Sequence, residues 1–364
     1  MHWSPQQEDA LTAVADWLRR GDRPVFRLFG YAGTGKTTLA RHLAEGIDGT
    51  VAFAAYTGKA AHVLRTKGCE GAGTIHSLIY RPRAGEDEEQ PVFAINHESA
   101  ASKADLIIID ECSMVDEELG RDLLSFRTPV LVLGDPAQLP PVKGGGFFTE
   151  TEPDHMLTEV HRQAQDNPII RLSMAVRAGE PVDYGEYGES RVIQRREIDA
   201  EQILATDQVL VGTNKTRRAY NQRIRELKGL LSPMPAVGDK LVCLRNDKQK
   251  GLLNGGTWTV KRLTSPKRSL LRMDIVPEDE PGAKTVKAGI HPAFFEDGGE
   301  SLSYPQRRNS DEFDYGYALT VHKSQGSQWD DVVLFDESYA FREHRDRWLY
   351  TGITRAAKRI TIVR

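Results

Sequence analysis

Residues Gly30-Tyr31-Ala32-Gly33-Thr34-Gly35-Lys36-Thr37 constrain this chain more than any other stretch. They complete a GxxxxGK[ST] loop, entered from the apolar run Val25–Phe29 and followed by a helical pattern. The glycines at 30, 33 and 35 let backbone N–H groups close around phosphate oxygens, and a helix start favours negative charge there. Lys36 is spaced to reach a β/γ-phosphate pair, and the Thr37 hydroxyl to ligate Mg²⁺. A loop of this kind follows a buried parallel strand, so the chain is expected to be α/β with its ligands at the carboxyl ends of the strands.

The remaining sequence keeps that rhythm. Apolar runs at Val51–Ala55, Leu106–Ile109 and Val130–Leu133 each lead into a polar or Gly-bearing turn, as buried parallel strands do. Val209–Val211, Val332–Phe335 and Ile360–Val363 repeat the pattern in the second half. Two stretches break it. Residues 81–103 read as a hairpin with an acidic tip, Glu86-Asp87-Glu88-Glu89, inserted in the first half. Residues 231–303, with Asn254-Gly255-Gly256 and alternating runs, read as a small β-rich insertion in the second. The expected lobes are therefore 1–150, with the hairpin, and 151–230 with 304–364, interrupted by 231–303.

Leu106–Ile109 runs into Asp110-Glu111. A buried strand ending in two acids completes a phosphate loop: Asp110 to hold Mg²⁺, Glu111 to polarise the attacking water. Val130–Leu133 ends in Gly134-Asp135-Pro136-Ala137-Gln138-Leu139-Pro140-Pro141-Val142, where Gln138 is a neutral group suited to sensing the γ-phosphate. The formal net charge of −4 excludes a uniformly basic surface, so any nucleic acid would be gripped by local charge in a groove. Three scattered cysteines offer neither a disulfide framework nor a zinc site. With no long apolar segment either, a cytoplasmic protein is expected.

Taken in order, Ser4-Pro5-Gln6-Gln7, the phosphate loop, Thr57–Ala61, Thr74–Leu78, Asp110–Met114, Gly134–Val142, Leu157–Gln163, Tyr317–Gly326 and Tyr350–Ala356 resemble the superfamily 1 DNA helicases. Asp110-Glu111-Cys112-Ser113-Met114 and Gln138-Leu139-Pro140-Pro141 point to the RecD/Dda-like branch, and Thr354-Arg355-Ala356 favours RecD/Dda over Pif. The resemblance implies two RecA-like lobes, the insertion 231–303 being SH3-like and barrel-like, with ATP and Mg²⁺ bound between them. Gln7 would recognise adenine, and Thr34, Thr38, Gly326 and Gln328 complete the nucleotide set. Arg162 and Arg355 would act as arginine fingers on the transferring phosphoryl. Thr57, Lys59, His76, Ser77, Pro140 and Val142 would meet a DNA strand in the first lobe, and Asn214, Thr320 and His322 in the second. Phe93, on the apolar side of the hairpin with Tyr80 and Val92, is the candidate for strand separation.

Two positions depart from the family pattern: Tyr56 stands where relatives have Pro, and Gln328 where many have Glu near the ribose. A near-minimal motor without the N-terminal extension of larger RecD-like proteins is expected. The implied activity is ATP-driven 5′→3′ translocation on single-stranded DNA, coupled to unwinding of tailed duplex. The alternative is a DNA-stimulated translocase that remodels protein–DNA complexes without unwinding. A phosphotransferase leaves Thr320–Gly326 and both arginines unexplained. The expected partners are single-stranded DNA and tailed duplex DNA, with no membrane, no protein partner that the sequence identifies, and a monomer by default; the sequence does not separate DNA from RNA.

Overall fold

A computed structural model gives the architecture and describes residues 3–82, 93–141, 144–160, 167–247, 249–267, 269–278 and 282–364. The chain divides into two units, Met1–Pro181 with Asp346–Thr354, and Val182–Arg345 with Arg355–Arg364.

The first unit is built on β1 (Val25–Gly30), β2 (Val51–Ala55), β3 (Gly73–Thr74), β6 (Leu106–Asp110), β7 (Val130–Gly134) and β8 (His155–Leu157). Between β3 and β6 lie the short strands β4 (Tyr80–Pro82) and β5 (Phe93–Ile95). The six strands lie in the order β3-β2-β6-β7-β1-β8, and every pairing among them is parallel. Their continuous apolar sequences follow from burial on both faces. Phe29, Ile107, Ile109, Val130 and Val132 face one core, shared with Ile75, Ile79, Leu119 and Leu123. Phe26, Leu28, Leu106, Ile108, Leu131 and Leu133 face the other, against Ala10, Val14 and Trp17 of the helix Pro5–Arg20. That helix starts where Ser4-Pro5 predicts: the Ser4 hydroxyl accepts from Gln7 N–H, and Gln7 closes a capping box.

The second unit carries β9 (Gly185–Tyr187), β10 (Ser190–Ile193), β11 (Gln208–Val211), β17 (Ala318–Thr320), β18 (Trp329–Phe335) and β19 (Ala356–Val363). Their order is β17-β11-β18-β19-β10-β9, parallel except for β9 at the edge. A five-stranded antiparallel sheet interrupts it: β12 (Lys240–Cys243), β13 (Thr257–Lys267), β14 (Leu270–Pro277), β15 (Val286–Ile290) and β16 (Phe313–Tyr315), ordered β15-β14-β13-β12-β16. Buried Arg225, near the end of the helix Asn214–Leu227, anchors its start by pairing with Asp239 at 2.9 Å.

The division differs from the sequence expectation in three places. The first unit runs past residue 150, because β8 pairs with β1 from Leu28↔His155 to Gly30↔Leu157. Residues Asp346–Thr354 belong to the first unit and not the second. The antiparallel sheet extends beyond residue 303, since β16 completes its edge against β12. At the expected hairpin, β4 and β5 pair antiparallel with Tyr80 opposite Ile95, and the acidic tip lies outside the described residues. Tyr80 does not belong to the hairpin's free face: its hydroxyl donates to Asp122 of the helix Glu117–Leu124.

Candidate nucleotide and strand site

Sheet order sorts the chemistry, because every functional loop of the first unit leaves the carboxyl end of a parallel strand. The phosphate loop leaves β1, and the loop with Gln138 leaves its neighbour β7. Asp110 closes β6, the next strand along, and Thr57 and His76 follow β2 and β3 towards the edge.

The loop itself needs its glycines. Gly33 and Gly35 adopt φ of 79° and 80°, the left-handed region that favours glycine. A Cβ on Gly30 would lie 2.6 Å from Thr34 Oγ1 and 2.8 Å from Leu157 Cβ, so backbone must pass close there. Lys36 Nζ is folded across the loop, donating to the carbonyls of Gly30 at 2.6 Å and Tyr31 at 3.0 Å. Thr37 Oγ1 donates to Asp110 Oδ2 at 2.9 Å. This brings a hydroxyl and a carboxylate onto one spot, the hard-oxygen pair that a Mg²⁺ bound to phosphates uses. Glu111 holds a left-handed φ of 54° while its N–H donates to Asp110 Oδ1, a costly conformation for a residue with a side chain.

Gln138 is 8% exposed, and its carbonyl oxygen has no hydrogen-bond partner among the described residues. Gln7 is buried too; its amide accepts from Ser4 N–H and donates to the Thr34 carbonyl, so it braces the loop from beneath. Neighbouring Gln6 accepts from Thr158 N–H at 2.7 Å and Glu159 N–H at 2.9 Å, tying the first helix to the stretch after β8. Arg162, further along that stretch, lies outside the described residues, as does Val142. Thr34 is buried and Thr38 exposed.

Of the strand-contact candidates, Thr57 caps the helix Gly58–Thr66 by accepting from Ala60 N–H, and Lys59 is half-buried in its first turn. His76 and Ser77 lie on the one-turn helix Ile75–Ile79, with the His76 ring between Tyr56 and Tyr80. The aromatic residue at position 56 therefore packs on a strand-contact candidate. Pro140 is half-buried, and Phe93 on β5 is 58% exposed.

In the second unit, Asn214 starts its helix at the end of β11, exposed, while Thr320 ends β17, the adjacent strand, and His322 follows it. Glu337 secures this end by accepting from Gly212 and Thr213 N–H and from the Thr216 hydroxyl. Burial and nearby His344 push the His322 imidazole below its ordinary pKa, so it is neutral at pH 7. Lys323 is also depressed by burial and reaches Asn254 of the antiparallel insertion at 2.5 Å. Arg355 is 6% exposed, with its guanidinium on the Ser327 carbonyl. Gly326 takes a left-handed φ of 76°, and exposed Gln328 donates to the Ala356 carbonyl at 3.4 Å.

Sequence reasoning passed over Asp135, Tyr350 and Arg177, which the fold brings to the phosphate loop. The signals available were only an acid following β7 and a Tyr beside the Thr-Arg-Ala stretch.

The AAA domain family matches residues 2–197, and the UvrD-like helicase C-terminal domain matches 315–363. The chain is 30% identical over 365 residues to the ATP-dependent RecD2 DNA helicase of Deinococcus radiodurans, covering 91% of this chain and 46% of that protein. It is 34% identical over 166 residues to the ATP-dependent DNA helicase dda of Enterobacteria phage T4, covering 42% of this chain and 37% of the other. It thus spans less than half the length of either relative. A crystal structure of a Bacteroides Pif1 helicase with ADP-AlF3 and single-stranded DNA has a similar fold, with a TM-score of 0.60 at 19% identity over 99% of this chain and 92% of that one.

Proposed function

Because this chain belongs to the RecD/Dda-like branch of the superfamily 1 DNA helicases, we propose that it is an ATP-driven motor that tracks single-stranded DNA 5′→3′ and parts tailed duplex ahead of it. The observation that carries the reading is the Thr37–Asp110 hydrogen bond, on a sheet whose next strand ends hold Thr57 and His76. The glycine geometry, the hydroxyl–carboxylate pair and the buried acceptor on Gln138 fit a nucleotide with Mg²⁺. Bound there, ATP and Mg²⁺ supply the phosphoanhydride to be cleaved and neutralise its charge.

The residues of the chain do the rest. Lys36, now on its loop carbonyls, would pair with phosphate oxygens, and Thr37 and Asp110 would hold the metal. Glu111 would orient and polarise the attacking water, and Gln138 would sense the γ-phosphate through its side-chain amide. Arg162 and Arg355 contribute guanidinium charge in the transition state. Gln7, Thr34, Thr38, Gly326 and Gln328 complete the nucleotide site. Thr57, Lys59, His76, Ser77, Pro140, Val142, Asn214, Thr320 and His322 meet the strand through hydroxyl, amide, ammonium and imidazole groups that do not read sequence. The antiparallel sheet β12–β16 is the SH3-like insertion, and Phe93 caps the last base pair. Among the described residues no helix is long and apolar enough to cross a membrane.

The test is ATP turnover with and without single-stranded DNA, then unwinding of 5′- and 3′-tailed duplexes. Stimulated turnover with unwinding of the 5′-tailed duplex alone supports the reading. Stimulation without unwinding favours a remodelling translocase, and turnover indifferent to DNA sinks the motor.

A further inference from the structure

Behind the phosphate loop lies a buried polar network that the roles above do not use. Tyr350, on the helix Arg345–Ile353, is 1% exposed, and its hydroxyl sits between two parts of the first unit. It accepts from Ala32 N–H, inside the phosphate loop, at 3.0 Å and donates to Asp135 Oδ2 at 2.7 Å. Burial, reinforced by the Asp135 charge, pushes its pKa far above the ordinary tyrosine value. The phenol therefore keeps its single proton, which goes to Asp135, leaving a lone pair for Ala32 N–H.

Asp135 is 2% exposed and shapes the turn that carries Gln138: its other oxygen accepts from Ala137 N–H, and its carbonyl accepts from Gln138 N–H. The next residue of the same helix, Thr351, accepts from Leu139 N–H at 2.9 Å. Two consecutive side chains thus hold the phosphate loop and both ends of the turn leading to Pro140. Arg177 adds to the clamp by stacking its guanidinium 3.6 Å over the ring of Tyr31. Beyond Thr354 the chain passes into Arg355 of the second unit.

We propose that Tyr350 is a positioning residue: its hydroxyl fastens the phosphate loop to the Asp135 turn, so that a shift of the loop moves Gln138 and the strand-facing Pro140 with it. Thr351 secures the same turn from the adjacent position. A phenylalanine ring would fill the same space while removing the hydroxyl that joins Ala32 N–H to Asp135 Oδ2. The backbone donors of Gly33–Thr37 would remain, so nucleotide would still bind and the loss would fall on turnover and its coupling to DNA.

This inference rests on the reading of the chain as a DNA-stimulated ATPase. The experiment measures kcat and KM for ATP with and without single-stranded DNA, and the melting temperature, in Tyr350→Phe and Thr351→Val. Tyr350→Phe is expected to lower kcat about tenfold with KM within about threefold, and to reduce the fold-stimulation by DNA. Thr351→Val is expected to reduce that stimulation in the same direction. Parental kcat and stimulation in Tyr350→Phe would overturn the proposal. So would a kcat that tracks the folded fraction and returns on cooling, since that is the mark of a merely structural side chain. If the parent chain hydrolyses ATP without responding to DNA, the motor reading fails, while the kcat-against-KM split still decides for or against Tyr350.

Discussion

Replacing Gly30 by alanine puts one methyl group where the structure has no room. The new carbon would meet Thr34 Oγ1 at 2.6 Å and Leu157 Cβ at 2.8 Å. Neither neighbour yields easily. Thr34 is buried, its hydroxyl donates to the Tyr31 carbonyl, and its own carbonyl accepts from Gln7. Leu157 is held in β8 by parallel pairing with Gly30 itself. The strain therefore moves the backbone at the entry to the phosphate loop, and overpacking of this kind costs about 1–3 kcal/mol. At about 1.4 kcal/mol per tenfold, the whole cost falling on nucleotide would weaken its binding by about 5- to 150-fold. The assay is titration with a fluorescent ADP analogue, alongside denaturant unfolding, because the cost is shared between affinity and stability. Gly229→Ala is the control: its φ is +76° and nothing lies within 4 Å of the added carbon, so it should lose stability but no nucleotide affinity. If Gly30→Ala matched the parent in both affinity and stability, the close approach of β1 and β8 at this loop would be wrong.

Lys36→Ala should abolish turnover while single-strand binding survives, since Lys36 lies on the phosphate loop; retention of most DNA-stimulated turnover would remove it from the site. Arg355→Ala should lower kcat by about a thousandfold with little change in ATP binding, as expected of a group acting on the transition state. A pure binding defect would count against it. His322 titrates below its ordinary value of 6.5, so the unfolded chain takes up its proton first and stability, complete above about pH 6.5, is lost as pH falls through the folded pKa. His322→Gln should therefore flatten the decline in melting temperature as pH falls below about 6.5, and an unchanged slope would refute this. Phe93→Ala should reduce unwinding and spare DNA-stimulated ATP turnover, because its ring is exposed on β5, in a two-stranded sheet separate from the parallel sheet that carries the phosphate loop; equal loss of both would make the residue structural.

What could be read from sequence was chemistry confined to a few consecutive residues. A phosphate loop needs its glycines, lysine and threonine within eight positions, and a buried strand ending in Asp110-Glu111 announces itself by the polarity jump after Leu106–Ile109. The parallel sheet follows from the same runs, because strands with two buried faces cannot alternate. Long-range pairing leaves no such local trace. His155–Leu157 is too short to read as a strand, yet its registry with β1 sets the space at Gly30 and moves the end of the first unit beyond residue 150. Tyr80 looked like part of a free apolar face until Asp122, from a helix later in the chain, took its hydroxyl. The helix Arg345–Ile353 is the sharpest case. Its sequence shows a helical segment and an arginine after it, but nothing in Tyr350-Thr351-Gly352 says which sheet it joins. Only the fold reveals that the phenol closes on Ala32 and Asp135, two backbone turns that are themselves legible. Sequence reasoning finds the groups that touch a ligand because their chemistry is local. It misses the groups that hold them in place, because the need for those arises from packing, and for Tyr350 that distinction is what the kcat-against-KM measurement tests.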